Sequence, residues 1–349
     1  MKQRKKYAAI ILCMALGGIA VYAGGLQKVV GSPMIGLIIA MIFANALPGL
    51  SQTLKEGTSF VGKKFLVFGI VMAGATLNLT QVLGYGAKAL PLIGVNIVIA
   101  FAVAYFVGRR LQMTDNTCTL VGGGTCICGG TAIATLASII KAKESEIAYA
   151  MTAIFLFDIL AALVYPYLAG AIGLTPNQFG FLAGTAINDT CSVAAAEATY
   201  NVLNACDLQN AITVKLTRTT MLIVLAVIFT LLSVRHEIAT GKAADASQPL
   251  SRVMQTVKKV FPWFILIFVA MALLNTFGLF KAVHAGLPSF FKLGYKFLIT
   301  VALVGVGFKI QIRELLTKGI KPILLGGFTW LAIACSSLTF IYLFAAYIG

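Results

Sequence analysis

Eleven apolar runs separated by short polar turns restrict this chain to one kind of environment. They fall near 7–24, 34–49, 65–79, 90–108, 118–139, 147–168, 179–199, 213–233, 261–279, 297–310 and 322–348. About 20 apolar residues make one bilayer crossing. Of the 349 residues, 59% are hydrophobic and 11% charged, and the mean hydropathy is +0.94. A chain of that composition aggregates in water. The sequence therefore predicts an all-α polytopic membrane protein with about 9–11 transmembrane segments. The formal net charge of +16 comes from basic residues spread among short loops, which reads as a topology signal and excludes nucleic acid as a partner.

With the N-terminus inside, 18 of the 27 Lys and Arg residues fall in inner loops, 7 in outer loops, and Lys215 and Arg218 inside the eighth run. That bias predicts a multi-pass protein of the cell's inner (cytoplasmic) membrane with a cytoplasmic N-terminus. If the fifth and seventh runs both re-enter, only Lys141 and Lys143 change sides, so the count does not separate eleven crossings from nine. The longest polar stretch, 235–259, reads as a cytoplasmic linker within a single polytopic unit spanning 1–349. The start of the chain, with Lys2, Arg4, Lys5 and Lys6 before an apolar run ending Val21-Tyr22-Ala23, also resembles a secretory signal peptide. It is read as a retained first span.

Two polar segments interrupt the apolar pattern. Gly122–Ile139 reads GGGTCICGGTAIATLASI and Gly184–Ala196 reads GTAINDTCSVAAA. At an offset of 60, Gly124-Thr125-x-Ile127 falls on Gly184-Thr185-x-Ile187, and Ile133-Ala134 on Val193-Ala194. Lipid penalises unsatisfied polar groups by several kcal/mol each, so such segments face protein or water. Glycine-broken polar segments in corresponding halves point to a transporter's binding site. Close packing through small residues would account for the glycines but not for Asn188 and Asp189.

A larger repeat relates 34–109 to 262–348, around the central segment 118–233. Pro33 to Asn45 resembles Pro262 to Asn275, Lys64-Phe65-Leu66 falls on Lys296-Phe297-Leu298, and Gly94 falls on Gly326. The copies lie an odd number of crossings apart, so they insert with opposite orientation, as inverted repeats of secondary transporters do. The two glycine-polar segments, only two runs apart, would run in the same direction if both crossed. Either one enters and returns, or their likeness is not strict inverted symmetry.

Charges within the membrane are functional candidates. Asp158 is mid-run, Asp189 sits in the second broken segment beside Asn188 and Thr190, and Glu197 lies nearer its end. Lys215 and Arg218, at i and i+3, share a helical face. A cation pair suits an anion, with the Arg fork matching an oxyanion or carboxylate. It would equally suit structural partnership with Asp158, Asp189 or Glu197. A half-helix beginning near Gly130-Thr131 would aim its positive end at an anion. Asp158 and Asp189 could exchange a proton for a cation and so couple transport to a gradient.

The seven cysteines lack metal or redox spacing, since Cys126-x-Cys128 has a single intervening residue and the only histidines, His236 and His284, lie in loops. No cofactor or metal is expected. No His-Glu zinc motif or protease pair stands out, so the chain is not read as an enzyme.

The segments GTCICGGTAIA, GTAINDTCSVAAA and VKLTR, in that order and spacing, resemble the signature of the YeiH-type membrane proteins, a family catalogued as sulfate exporters. The resemblance covers nearly the whole chain. It implies kinship with sodium/proton antiporters and bile-acid symporters, whose two broken helices cross at mid-membrane against a flatter scaffold. It also implies a site at Gly124, Thr125, Gly129, Gly130, Thr131, Asp189, Lys215 and Arg218. Relatives often carry His-Glu where this chain has Asn188-Asp189, so a relay through that histidine is absent here.

The function expected is a secondary active transporter of a small anion, a sulfur oxyanion or sulfonate, working by alternating access. Its substrate site would comprise those residues with Asn188 and Thr190, and Asp158 and Asp189 would serve coupling. The alternative is a cation/proton or sodium-coupled antiporter of the same fold; a channel or accessory membrane protein ranks below both. Expected partners are the bilayer, a small anionic substrate and a coupling proton or sodium ion, with a homodimer allowed.

Overall fold

A computed structural model of the chain describes residues 2–27, 29–239, 249–310 and 320–349. Arg313, Lys318 and the middle of the 235–259 stretch fall outside them. Every regular element among the described residues is a helix, and the protein is an all-helical polytopic membrane protein. Seven helices are long and apolar enough to cross a bilayer. They are α1 (Lys2–Gly25), α3 (Pro48–Gly74), α4 (Leu79–Arg110), α7 (Glu144–Ala171), α10 (Asn210–Ala239), α14 (Leu287–Gly307) and α15 (Ile320–Leu343). The apolar helices α2 (Ser32–Ala46) and α12 (Trp263–Thr276) are shorter. Helix α11 (Pro249–Val260) lies against α10, so the stretch read as a linker is helical at both ends. Helices α13 (Leu279–Val283) and α16 (Ala345–Ile348) are short.

The two polar segments are interrupted helices. Helix α5 (Asp115–Cys126) breaks before α6 (Gly130–Ile140), and α8 (Pro176–Ala186) breaks before α9 (Thr190–Leu203). Each half is 11 to 14 residues long, or about 16–21 Å at 1.5 Å per residue. That reaches roughly halfway through a ~30 Å hydrocarbon layer.

Neither pair continues past its break as the crossing helices expected from the resemblance would. A Cβ built on Gly124 would lie 2.9 Å from Ile133 Cγ1, and one on Gly123 would run into Leu136. Residues thirteen apart touch only if α6 folds back along α5. At the open end, Thr114 Oγ1 and Asn116 Nδ2 donate to the Glu146 carboxylate at 2.7 and 3.1 Å, so the start of α5 meets the chain just beyond α6. In the second pair, the Phe179 and Tyr200 rings stack at 4.0 Å and Tyr200 Oη donates to Leu174 O at 3.0 Å. Both segments are re-entrant helical hairpins, which resolves the alternatives left open by the sequence.

The bases of the hairpins lie on opposite faces of the bundle. The α5–α6 hairpin opens on the face where α4 ends and α7 begins. The α8–α9 hairpin opens on the other face, near the C-terminus, where Asn177 Nδ2 donates to Gly349 O at 3.0 Å.

Two bodies make up the bundle. Helices α1, α2, α3, α12 and α14 pack on one another, and α4 through α10 pack with α15. In the first body α3 and α14 approach so closely that a Cβ on Gly305 would sit 2.6 Å from Gly62 N and 2.7 Å from Thr58 O. Only small residues permit such a crossing. The second body holds both hairpins, with Leu120, Val121, Ile133, Leu136, Ile154 and Leu325 burying the α5–α6 pair.

Gly129 turns the first tip with φ +61° and ψ −125°, a conformation that L side chains avoid. Space is not the constraint, since a Cβ there would meet nothing nearer than 3.6 Å. Gly129→Ala should therefore cost about 1–3 kcal/mol from backbone strain alone, read as a lower thermal unfolding midpoint of the purified protein. Gly170→Ala, inside α7 with nothing within 4 Å, should leave the midpoint unchanged or raise it.

Candidate functional site

Where the hairpin tips meet, four helix ends converge, and their unpaired backbone groups must be satisfied away from water. The carbonyl ends of α5 and α8 are met by cations from α10. Lys215 Nζ donates to Ile127 O at 2.6 Å, to Ile187 O at 3.2 Å, and to Asn188 O. Arg218 Nε donates to Cys126 O at 2.7 Å, its Nη1 to Ile187 O at 2.8 Å and Gly184 O at 3.4 Å, and its Nη2 to Thr125 O. Both side chains are buried, at 0% and 1% exposure, so each full charge offsets helix-terminal negative potential where solvent screening is absent. The one-face spacing seen in the sequence is what lets both cations reach the two tips.

The amide end of α9 is met by a carboxylate from α7. Asp158 Oδ1 accepts from Asn188 N at 2.9 Å and Asp189 N at 2.8 Å, and Oδ2 accepts from Ser192 Oγ at 2.5 Å. Asp189 Oδ2 accepts from Cys191 N at 2.8 Å. Neither Lys215 nor Arg218 lies within ion-pair distance of a carboxylate among the described residues, where ion pairs join other groups. Structural partnership with the acids, weighed from sequence, is thus replaced by partnership with main-chain carbonyls. Those carbonyls are the participants that the motifs did not single out, because a carbonyl carries no residue-type signal, whereas Ser192 lies within the second motif beside Asp189.

The amide end of α6 is different. Its N-cap Gly129 has no side chain to offer and makes no cap, and in this first turn the Cys128 thiol meets only the Ala132 amide among the described residues. The first-turn amides of Gly130 and Thr131 point beyond the helix, with Gly130 half-buried and Thr131 exposed. Facing this end, Asn188 is 1% exposed, yet its Oδ1 and Nδ2 find no hydrogen-bond partner among the described residues. Its Cβ lies 3.7 Å from where a Cβ on Gly129 would stand. Asp189 and Thr190 are half-buried at the second tip.

The residues singled out from sequence are therefore brought to one place, in distinct roles. Gly124 and Thr125 lie behind the first tip, Gly124 against Ile133 and Ile154, and Thr125 with its hydroxyl donating back to Val121 O at 2.7 Å. Gly129, Gly130, Thr131, Asn188, Asp189 and Thr190 border the accessible side, and Asp158, Lys215 and Arg218 form the buried frame. Glu197 is held apart, with Oε1 accepting from Ala211 N at 2.9 Å at the start of α10. The described residues hold no cluster of three metal-ligating side chains.

The hairpins also differ in what covers them. Helix α9 packs on α2 and α14 of the other body, whereas among the described residues α6 packs chiefly on α5, α7 and α10. Thr131, Ala134 and Ser138 on α6 are exposed, and Thr135 is half-buried. Thr131 and Ser138 place hydroxyls on that face, with Ser138 Oγ donating back to Thr135 O at 2.7 Å.

The family model described as "Conserved hypothetical protein 698" matches residues 8–326. Among similar proteins, a UPF0324 membrane protein of Streptococcus pyogenes serotype M6 is 37% identical over 337 residues, covering 96% of each chain. UPF0324 membrane proteins of Streptococcus agalactiae serotype V and Streptococcus pneumoniae strain R6 are 35% and 36% identical. The alignments cover 96% of this chain in both cases, and 97% and 96% of those relatives.

The frame gives a clear mutational contrast. Asp158→Asn can keep both amide contacts and reverse the Ser192 bond, so it should cost only about 1 kcal/mol. Asp158→Ala strands two buried amides and should cost about 2–5 kcal/mol, and Lys215→Met about 3–5 kcal/mol by uncapping both tips. Thermal unfolding of the purified variants checks the order, in which Asp158→Asn lies nearest the parent.

Proposed function

We propose that this chain, which belongs to the conserved hypothetical protein 698 family of membrane proteins, is a secondary active transporter of a small anion, a sulfur oxyanion or sulfonate. It would act by alternating access in the cytoplasmic membrane with its N-terminus inside. The observation that carries this reading is the uncapped α6 end. Three helix ends at the tips are neutralised by Lys215, Arg218 and Asp158, and the fourth presents the Gly130 and Thr131 amides, uncapped by Gly129, beside an Asn188 carboxamide that has no hydrogen-bond partner among the described residues. Helix N-termini with free N–H groups bind anions, and Asn188 Nδ2 supplies a further donor.

Alternating access is supported by the unequal cover of the hairpins. With α9 packed on the α2/α14 body and the α6 face exposed, the tips would be reached from the face on which the α5–α6 hairpin opens. Exchange of these roles would open the other face. The pairs α2/α12, α3/α14 and α4/α15, matched in the sequence repeat, supply the inverted symmetry for such an exchange. Coupling falls to Asp189, the accessible carboxylate at the tips, because Asp158 is engaged by two amides and a hydroxyl. A proton on Asp189 would remove repulsion against an anion at α6. Asp189 is also the feature that favours the second reading, cation/proton antiport, in which a cation would replace that proton.

Asn188→Leu separates function from stability. Removing an unsatisfied buried amide should leave the ligand-free protein equally stable or about 1 kcal/mol more stable. Stabilisation by sulfate, thiosulfate or a sulfonate should fall at least tenfold in apparent affinity, read as the ligand-dependent rise in unfolding temperature. If sodium stabilises the parent and no anion does, antiport replaces the anion reading.

A further inference from the structure

A second cationic site lies far from the tips, on the face where the α8–α9 hairpin opens. Lys292 and Lys296 stand at i and i+4 near the start of α14, on one helical face. Both reach a single carboxylate in the turn after α9. Lys292 Nζ lies 2.5 Å from Asp207 Oδ2, and Lys296 Nζ lies 3.6 Å from Asp207 Oδ1. The two oxygens of one acid thus bridge two ammonium groups that belong to the other body. In the same turn Gln209 Oε1 accepts from Thr76 Oγ1 at 2.7 Å, at the end of α3. Beneath these links is a cavity of about 450 Å³, whose polar lining includes Ser32, Asn201, Asp207, Gln209, Lys296 and Thr300. Its α9 wall carries Ala194, Ala198 and Asn201, on the helix face that begins at Thr190 of the tip.

We propose that Lys292 and Lys296 form an outer recruitment site for a doubly charged oxyanion, held shut in this state by Asp207 as a built-in counter-ion. Two cations against one carboxylate leave a positive charge unmatched, which a dianion would neutralise. Asp207 already shows the required geometry, two oxygens on one centre, one to each ammonium. All three side chains are about half-exposed, so the pairing is weak and displaceable. An arriving dianion takes both lysines, frees the turn from α14, and opens the cavity along α9 toward the tips. The proposal rests on the anion reading above only for the sign of the cargo.

Cys206 reports this opening. It lines the cavity beside Asp207, its Sγ lies 3.2 Å from Asn201 Oδ1, and burial pushes its thiol above the ordinary value. Opening raises both its access and its thiolate fraction. The test is the rate of N-ethylmaleimide labelling of Cys206, read on its peptide by mass spectrometry, in the full-length protein in lipid nanodiscs. Asp207→Asn should label at least fivefold faster than the parent, although part of that gain comes from removing the neighbouring negative charge that, after burial, holds the thiol up. The double variant Lys292→Gln/Lys296→Gln should also label at least fivefold faster, and it is the arm that isolates opening, because loss of positive charge alone would slow a thiol. Sulfate should accelerate labelling of the parent more than chloride at matched ionic strength, and should have no effect on the double variant. Equal acceleration by both salts would mean screening alone and overturns the proposal, as does an unchanged rate in the double variant. The readout does not involve Asn188 or Arg218, so failure of the tip site to bind anions would leave its outcome unaffected.

Discussion

Two hairpins that stop halfway through a bilayer bring four sets of unpaired backbone groups into its interior, and the remainder of the architecture follows from satisfying them. Lys215 and Arg218 meet the carbonyl ends of α5 and α8 from a single helix face. Asp158 meets the amide end of α9. Each of these side chains would be costly in isolation, because a buried charge without partners is destabilising by several kcal/mol. Set against the opposing helix dipole, each becomes the least costly cap available in the absence of water. The exception is the start of α6, where Gly129 provides a turn and no cap, and that omission gives the centre an unfilled role.

The same economy explains the division into two bodies. The hairpins, α7, α10, α4 and α15 hold one another through the central caps, while α1–α3, α12 and α14 form a separate, glycine-packed body. Contact between them runs through α9 with α2 and α14, and through α4 with α12. A few weak links, such as Asp207 with Lys292 and Lys296, fasten the outer turn. A dipole-capped unit against a separate partner is the division that the proposed alternating access would use, with the candidate site on the first and one side of it covered by the second.

Much of this was legible in the sequence. The apolar runs gave the class, and the clusters around Gly129-Gly130 and Asn188-Asp189 marked both interruptions to within a residue or two, because glycine and Asx residues at membrane depth have few other uses. The i, i+3 spacing placed Lys215 and Arg218 on one face. The fold-back was not legible. Gly123 against Leu136 and Phe179 against Tyr200 are contacts between residues whose periodicity is the same whether a helix crosses or returns. The ligands of the two cations are carbonyls of Thr125, Cys126, Ile127, Gly184, Ile187 and Asn188, which no residue type announces. The intramembrane carboxylates Asp158, Asp189 and Glu197 therefore looked like partners of the cations, although main-chain carbonyls take that place.

The account stands on both interrupted segments turning back, and single-cysteine accessibility tests that most directly. Variants carrying Asp115→Cys, Lys143→Cys, Thr175→Cys or Asn204→Cys, all at exposed hairpin bases, would be challenged with a membrane-impermeant maleimide on sealed vesicles of each orientation. Asp115→Cys and Lys143→Cys should label from the same face, and Thr175→Cys and Asn204→Cys both from the opposite one. Labelling of the two members of either pair from different faces would mean that the segment crosses, and would contradict the account.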